Sequence, residues 1–382
     1  MTGGQKRMNS SQSGFILKSV GTNEKEEMEG LMKFKGKVEI PQHFEDLQYY
    51  FNERGELRHM VTNTPFLYNY YKNEYDRNHK RYKIIGDMIT LHVYELIEKD
   101  CNLQRITIPI DANEDEPRSF FFMNKDMMST QTNLFVLLQD SGVIRAGQWG
   151  QKVIFHHSLN KGTQIPYIKA ALRDNGSVVV LNPNDNFVEM KEEPHTLVKT
   201  EDESCPIDST DNVGPTSPKQ KIVVSKRCCR SPEEHTNYVW DNFISKSAAR
   251  NIFFIAHGYG GLVFMDLLCK KSKEIMSKVS AVAFIDSKHH AQHQAIMDPE
   301  IQAWMRSHCR SWVLSAKPLD RPTGSLRKLD CPKVSAGTEN HDLAPSVAFQ
   351  SVFRFLSRTS KSRRSSIPPA HTMITRSSTR SK

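Results

Sequence analysis

The stretch from Asn251 to Leu268, NIFFIAHGYGGLVFMDLL, leaves this chain little choice of fold. Ile252 to Ala256 reads as a short apolar strand, a tight turn of small residues follows, and an apolar helix runs on from Leu262. Strand, sharp turn and helix in that order form the layout of a nucleophile elbow, G-x-S-x-G. Small residues two positions either side of the nucleophile let the strained turn pack against sheet and helix. Here the frame is Ala256-His257-Gly258-Tyr259-Gly260. Both small flanks are present, but the nucleophile position holds Gly258, which has no side chain with which to attack a carbonyl.

The segments around the elbow alternate in a way that fixes the fold class. Leu134 to Leu138 and Ser177 to Leu181 are short, fully apolar runs of the kind buried on both faces of a parallel sheet. Leu103 to Ile110 and Ser119 to Met123 read as a strand pair across an acidic, Pro-containing loop. Val279 to Ile285, Trp312 to Ser315 and Lys333 to Ala336 read as later strands. Helical periods occupy Tyr82 to Lys99, Gln164 to Arg173, Ser231 to about Arg250, Ile296 to Cys309 and Ser346 to Leu356. Ser231, Pro232, Glu233 and Glu234 give the third of these helices an N-cap, a proline at N1 and acids in its first turn. Buried strands alternating with helices predict an α/β fold, a mostly parallel sheet of the α/β-hydrolase type with helices on both faces.

Composition marks out the parts that lie off this core. The 382 residues allow one large domain of roughly 250 residues plus tails, or two ordinary domains. Residues 1–40 are polar and predict a disordered segment. The domain is expected over 41–356, with an aromatic N-terminal subregion at 41–100. Tyr49-Tyr50-Phe51, the turn at Gly55 and the residues from Leu57 resemble strand, turn, strand. Aromatics interleaved with basic residues can stack nucleobases; the plainer reading is that they pack a small subdomain onto the core. A Glu-, Asp-, Ser- and Pro-rich stretch at about 186–230 predicts a disordered insertion. The net charge of +9 is concentrated at the end: 357–382 carries Arg358, Lys361, Arg363, Arg364, Arg376, Arg380 and Lys382 and no acid. That run predicts a disordered basic tail, a localisation or nucleic-acid patch or simply a solubilising one.

Seven cysteines, an odd number without CxxC spacing, argue against a disulfide framework or zinc site and for a reducing compartment. No apolar stretch reaches the roughly 18 residues of a membrane span, and the first residues lack a secretory h-region. Nucleus or cytoplasm, with no membrane, is the expected setting. No cofactor is implied. His289 and His290 with His293 have a spacing that a helix could turn toward a metal, but no fitting carboxylate accompanies them, and no metal is expected.

In an α/β-hydrolase the chain order is nucleophile, acid, base. After Gly258 the acid candidates are Asp320, following the second strand beyond the elbow, and Asp286, at the end of the first. The base candidate is His341, in a loop after the last strand. An oxyanion hole also needs backbone N–H groups from a turn after an early strand. The matching turn is Leu138-Gln139-Asp140-Ser141-Gly142, where Asp140 sets an anion beside an anion site. Ser141 or Ser287 would have to serve as a displaced nucleophile if the chain were an active serine hydrolase.

Six ordered motifs go further than the elbow. DSGVIRAGQW (Asp140 to Trp149), GTQIPYIK (Gly162 to Lys169), VVVLNPNDN (Val178 to Asn186), SPEEHTNYVWD (Ser231 to Asp241), AHGYGGL (Ala256 to Leu262) and VSAGTENHDL (Val334 to Leu343) closely resemble the Argonaute-binding-protein-two ("Arb two") domain family, its animal co-transcriptional regulators in particular. The resemblance covers about Phe44 to Leu356. It implies an α/β-hydrolase-like domain that binds Argonaute-type proteins and chromatin or splicing factors, with contact to RNA at most indirect; fungal members are linked to small-RNA-directed heterochromatin. The family's elbow reads like H-S-Y-G-G and its early turn like H-G-S-G. Here they read His257-Gly258-Tyr259-Gly260-Gly261 and Gln139-Asp140-Ser141-Gly142. The expectation is a catalytically inactive binding module that keeps a vestigial site of Gly258, Asp320 or Asp286, and His341.

Overall fold

Short strands that are apolar on both sides must be covered on both sides, and the computed structural model of the chain has that layered form. It describes residues 44–190, 222–289, 298–324 and 331–365, all within the unit Phe44–Lys382. The strands are β1 (Tyr49–Phe51), β2 (Leu57–His59), β3 (Gln104–Ile108), β4 (Ser119–Met123), β5 (Asn133–Leu138), β6 (Ser177–Val180), β7 (Phe187–Met190), β8 (Ile222–Ser225), β9 (Asn251–His257), β10 (Val279–Ile285), β11 (Cys309–Val313) and β12 (Lys333–Ser335). The helices are α1 (Tyr75–Lys99), α2 (Gln151–His156), α3 (Leu159–Gly162), α4 (Ile165–Arg173), α5 (Pro232–Asn242), α6 (Gly260–Lys270), α7 (Ser272–Lys278), α8 (Pro299–His308) and α9 (Ala344–Ser365).

Among the described residues one eight-stranded sheet runs β3-β4-β6-β5-β9-β10-β11-β12. The six strands from β6 to β12 in that order pair in parallel, while β4 is antiparallel to both β3 and β6. This is the mostly parallel α/β-hydrolase-like sheet, with the elbow strand β9 at its centre. Side chains alternate between two cores. Phe253 and Ile255 face a layer built from α1, α4 and α9, and Ile252, Phe254 and Ala256 face one built from α5, α6, α7 and α8. Every residue of β5, β6, β9 and β10 is buried. No helix among the described residues is long and apolar enough to cross a membrane.

Several element limits differ from the sequence expectation, and polar side chains cause most of the differences. Helix α1 begins at Tyr75 rather than Tyr82. Its first turns look polar because they lock the aromatic segment in place. Asn78 Nδ2 donates to Tyr71 O (2.7 Å) and Asn78 Oδ1 accepts from Tyr71 N (3.0 Å). The buried Arg81 guanidinium donates to Leu67 O (2.9 Å) and to the Tyr49 hydroxyl, and lies 4.8 Å from the centre of the Phe66 ring. Tyr49, Phe66 and Tyr71 are themselves buried, so these rings offer no face for stacking bases.

The predicted insertion at about 186–230 is corrected at both ends. Phe187–Met190 pairs antiparallel with Ile222–Ser225, and Lys226 Nζ reaches Asp185 Oδ1 at 2.6 Å. The Arg227 guanidinium ties the return strand to Glu116 (2.6 Å) and Asp111 (3.2 Å). The rest of that stretch, 191–221, lies outside the described residues, as do 1–43. Helix α9 runs into the stretch from 357 predicted as a tail, as far as Ser365; 366–382 lies outside the described residues. Helix α8 starts at Pro299 because Asp298 caps it, accepting from Glu300 N (2.9 Å) and Ile301 N (3.3 Å). Strand β11 begins at Cys309, three residues before the expected start. Helix α5 has the predicted Ser231 cap (Glu234 N to Ser231 Oγ, 3.2 Å) but ends at Asn242 and not near Arg250.

Arg81 is charged, buried and without a carboxylate partner among the described residues, so its carbonyl and phenol acceptors depend on it. Arg81→Ala should lower stability by about 2–4 kcal/mol. A fall in the urea midpoint measured by near-ultraviolet circular dichroism checks this.

Candidate functional site

The carboxyl ends of β5, β9 and β10 and the loop after β12 meet at one place, the usual position for a site in an open α/β sheet. The elbow backbone is intact. Gly258 has φ +53° and donates its N–H to Ile285 O at 3.1 Å. A non-glycine residue in this left-handed conformation is strained, and glycine takes it without strain. Gly260 opens α6 in close contact with β5. A Cβ there would lie 2.7 Å from Leu138 O and 2.8 Å from Gln139 O. The small flank after the elbow is thus a steric requirement.

The space beside Gly258 is filled by Asp140. A Cβ built on Gly258 would meet the Asp140 carboxylate carbon at 2.3 Å. Asp140 Oδ1 accepts from Tyr259 N at 2.5 Å and from Ser141 N at 2.8 Å. Tyr259 follows the nucleophile position and Ser141 lies in the early turn, so these are the two N–H groups that form an oxyanion hole in this fold. Asp140 Oδ2 lies 2.9 Å from His341 Nε2, the nitrogen that would otherwise face a nucleophile's hydroxyl. One carboxylate therefore takes both the oxyanion position and the hydroxyl's place on the imidazole.

On its other side, His341 Nδ1 lies 2.6 Å from Asp286 Oδ2. Of the two acid candidates, Asp286 faces His341 and Asp320 does not. Asp320 accepts from Trp312 Nε1 (3.1 Å) and from the Ser351 hydroxyl, and pairs with Arg354 (3.2 Å) along α9. With an anion on each nitrogen, His341 donates from both as an imidazolium. Hydrogen bonds to Asp140 and Asp286 raise it to about 9 against the opposing effect of burial. Burial favours the neutral Asp140 carboxyl, but the bonds from His341 and from the N–H groups of Tyr259 and Ser141 outweigh it and hold the group at about 2.

His257 supports the base from beneath. Its ring stacks on His341 with centroids 4.3 Å apart, and Nε2 lies 3.2 Å from His341 O. A carbonyl can only accept, so Nε2 carries the proton. Burial, reinforced by the neighbouring His341 charge, lowers His257 to about 4 and keeps it neutral. Neither displaced-nucleophile candidate has its hydroxyl on His341 among the contacts described. Ser287 Oγ is 2.9 Å from His289 Nδ1, and Ser141 reaches the site through its backbone N–H alone among the contacts described. His290 and His293 fall outside the described residues. Among the described residues no group of three His, Cys, Asp or Glu side chains is placed to hold a metal.

Sequence reasoning named Gly258, His341 and, as alternative acids, Asp320 and Asp286, of which only Asp286 lies against His341; it also placed Asp140 beside an anion site. It missed His257 and the direct fit of Asp140 into the room left by Gly258. The available signal was that both departures from the elbow pattern fall on turns that converge.

Fold and site together define an α/β-hydrolase-like protein whose elbow holds glycine at the nucleophile position and an aspartate carboxylate against its histidine. The chain belongs to the Arb2 domain family, whose sequence profile matches residues 40–319. Human ARB2BP is 48% identical over 344 residues, spanning 88% of this chain and 94% of that protein. The human cotranscriptional regulator ARB2A is 41% identical over 355 residues, 88% of this chain and 85% of that protein. Among solved structures, a histone deacetylase from Saccharomyces cerevisiae superposes over 72% of this chain and 98% of its own, with TM-score 0.43 and 13% identity. That superposition is too loose to bear on activity.

The charge on His341 has a measurable signature. A histidine raised in the folded state stabilises it below the unfolded value, near 6.5, and that contribution is lost as pH rises through about 9. The depressed Asp140 contributes above 3.8 and loses this as pH falls through about 2. Asp140→Asn should lower stability by about 1–3 kcal/mol near pH 6. The gap between native and variant urea midpoints should narrow by pH 9.5, whereas an equal gap at both pH values would show that the pair carries no ionic bond.

Proposed function

We propose that this chain is a non-catalytic member of its family, an α/β-hydrolase-like binding module of co-transcriptional regulation. It joins an Argonaute-type protein to chromatin or splicing factors and works in the nucleus, with or without a cytoplasmic pool. The observation that carries the absence of catalysis is the Asp140 carboxylate. It lies against the N–H groups of Tyr259 and Ser141 and against His341, beside a residue with no nucleophile. Acyl transfer needs an attacking atom, a base free to take its proton and an empty position for the oxyanion. Here the first is missing and the other two are bound to one carboxylate. The partner class rests on the family motifs and on the name of the cotranscriptional regulators to which the chain is similar.

Fluorophosphonate labelling tests the chemical half. The native chain should not label. Gly258→Ser alone should not label either, because its side chain meets the Asp140 carboxylate and a non-glycine residue in a left-handed conformation costs about 1–2 kcal/mol. Gly258→Ser with Asp140→Gly restores a hydroxyl, frees Nε2 of His341 and empties the oxyanion position, and this pair should label. Labelling of the native chain, at Ser287 or any other serine, would falsify the reading. Affinity purification from nuclear extract tests the other half. An Argonaute protein or chromatin factor should be recovered with the native chain, and recovery of neither removes the proposed partners.

A further inference from the structure

The end of α9 poses a question of its own. Its last nine residues, SRTSKSRRS at 357–365, contain no apolar side chain, so there is nothing for the helix to bury beyond Leu356. A helix of that composition normally frays. Here Ser360 is 6% exposed and joins a buried polar group under the central strands. Asn251 Nδ2 donates to Asn133 Oδ1 (2.9 Å) and lies 3.3 Å from Ser360 Oγ; Ser280 Oγ donates to Asn251 Oδ1 (3.2 Å). This plants the helix end on the amino-terminal ends of β5, β9 and β10, the opposite end of the sheet from Gly258. Seven strand residues separate the two ends of β9, about 20 Å.

The same rim gathers exposed cations. Arg250 immediately precedes β9, and Arg358 lies one turn beyond Arg354 on α9. Thr132 Oγ1 donates to Asn175 O (2.6 Å), which brings the end of α4, with Arg173, to the same edge. Arg173, Arg250 and Arg358 are exposed, and none has a carboxylate within ion-pair reach among the described residues. Arg354, by contrast, pairs with Asp320. Beyond Ser360 the sequence carries Lys361, Arg363, Arg364, Arg376, Arg380 and Lys382 and no acid. Of the acids nearby, Glu274 is held by Lys278 (3.2 Å) and Asp174 is exposed beside Arg173.

We propose that this rim is a docking surface for duplex DNA, gripped through its phosphate backbone. The occupant follows from what the surface lacks as much as from its charge. Protein interfaces centre on apolar or aromatic anchors, and residues 357–360 offer only a cation and hydroxyls. Single strands are held by stacking on aromatic rings, and the described residues 357–360 beyond Leu356 include none. Interfaces with duplex DNA are polar and strongly positive, and guanidinium groups match phosphate geometry. Anchoring Ser360 fixes α9 two residues beyond Arg358, so less ordering is needed when that guanidinium meets a regular array of phosphates.

Fluorescence anisotropy of the full chain with a labelled duplex of about 20 base pairs, from about 50 to 200 mM salt, tests this. The native chain should bind with affinity that falls steeply with salt. Arg250→Ala with Arg358→Ala, both exposed positions, should weaken binding about tenfold or more at low salt and reduce the log–log salt slope by about 2. Lys80→Ala with Lys83→Ala, exposed on α1, should leave both unchanged. The proposal fails if the native chain does not bind at 50 mM salt, if the arginine pair binds as the native chain does, or if the lysine pair loses as much. Tighter binding of single-stranded RNA than of the duplex equally overturns it.

Discussion

Two carboxylates on one imidazole hold the carboxyl ends of the sheet together. Asp140 follows β5, Asp286 follows β10, His341 follows β12, and the Tyr259 N–H that Asp140 accepts from belongs to the turn after β9. Four loops are thereby cross-linked by charge-assisted hydrogen bonds in a half-buried position, where such bonds are stronger than neutral ones. The arrangement requires an empty volume beside the elbow, which Gly258 supplies at a φ that any other residue would hold only under strain. Glycine and aspartate depend on each other: one without the other leaves either a steric conflict or an unfilled anion position beside a charged histidine.

Geometry that in a hydrolase meets transient charge here holds an ion pair. In a hydrolase the N–H pair of the oxyanion hole meets an anion only at the tetrahedral stage, and the histidine becomes an imidazolium only as it takes the nucleophile's proton. In this chain the anion is built in and the imidazolium is the resting form, raised to about 9. The same donors and dipoles that elsewhere stabilise a transition state contribute to the stability of the ground state. His257, buried and neutral, supports the charged ring without competing for a proton.

Much of this was legible beforehand because the central strands leave no ambiguity. β5, β6, β9 and β10 are buried on both faces, so their residue types are uniformly apolar, and the alternation with helices identifies the layered sheet. The parts that could not be read are held by specific polar contacts, to which periodicity is blind. The first turns of α1 rest on Asn78 and Arg81, α9 near its end on Ser360, and the strands β7 and β8 on partners about thirty-five residues apart in sequence. In the site, chain order named both acids but could not choose. The choice depends on which loop turns toward His341, and Asp320 is drawn away by Trp312, Ser351 and Arg354. Asp140 was visible as an anion near an anion site; that it reaches the volume left by Gly258 is a matter of ångströms.

Helix α9 has a mechanical consequence. It begins three residues after His341 and passes Ser360 at the other edge of the sheet, 22 residues in all, about 33 Å of rigid rod. Tyr167, whose hydroxyl donates to Pro345 O at 2.6 Å, fastens its head, and the Ser360–Asn251 contact fastens its foot. A rod pinned at both ends transmits axial displacement far better than bending. A pull on the foot would therefore be felt as strain in the loop that carries His341, and the two poles of the sheet act as the ends of a single strut.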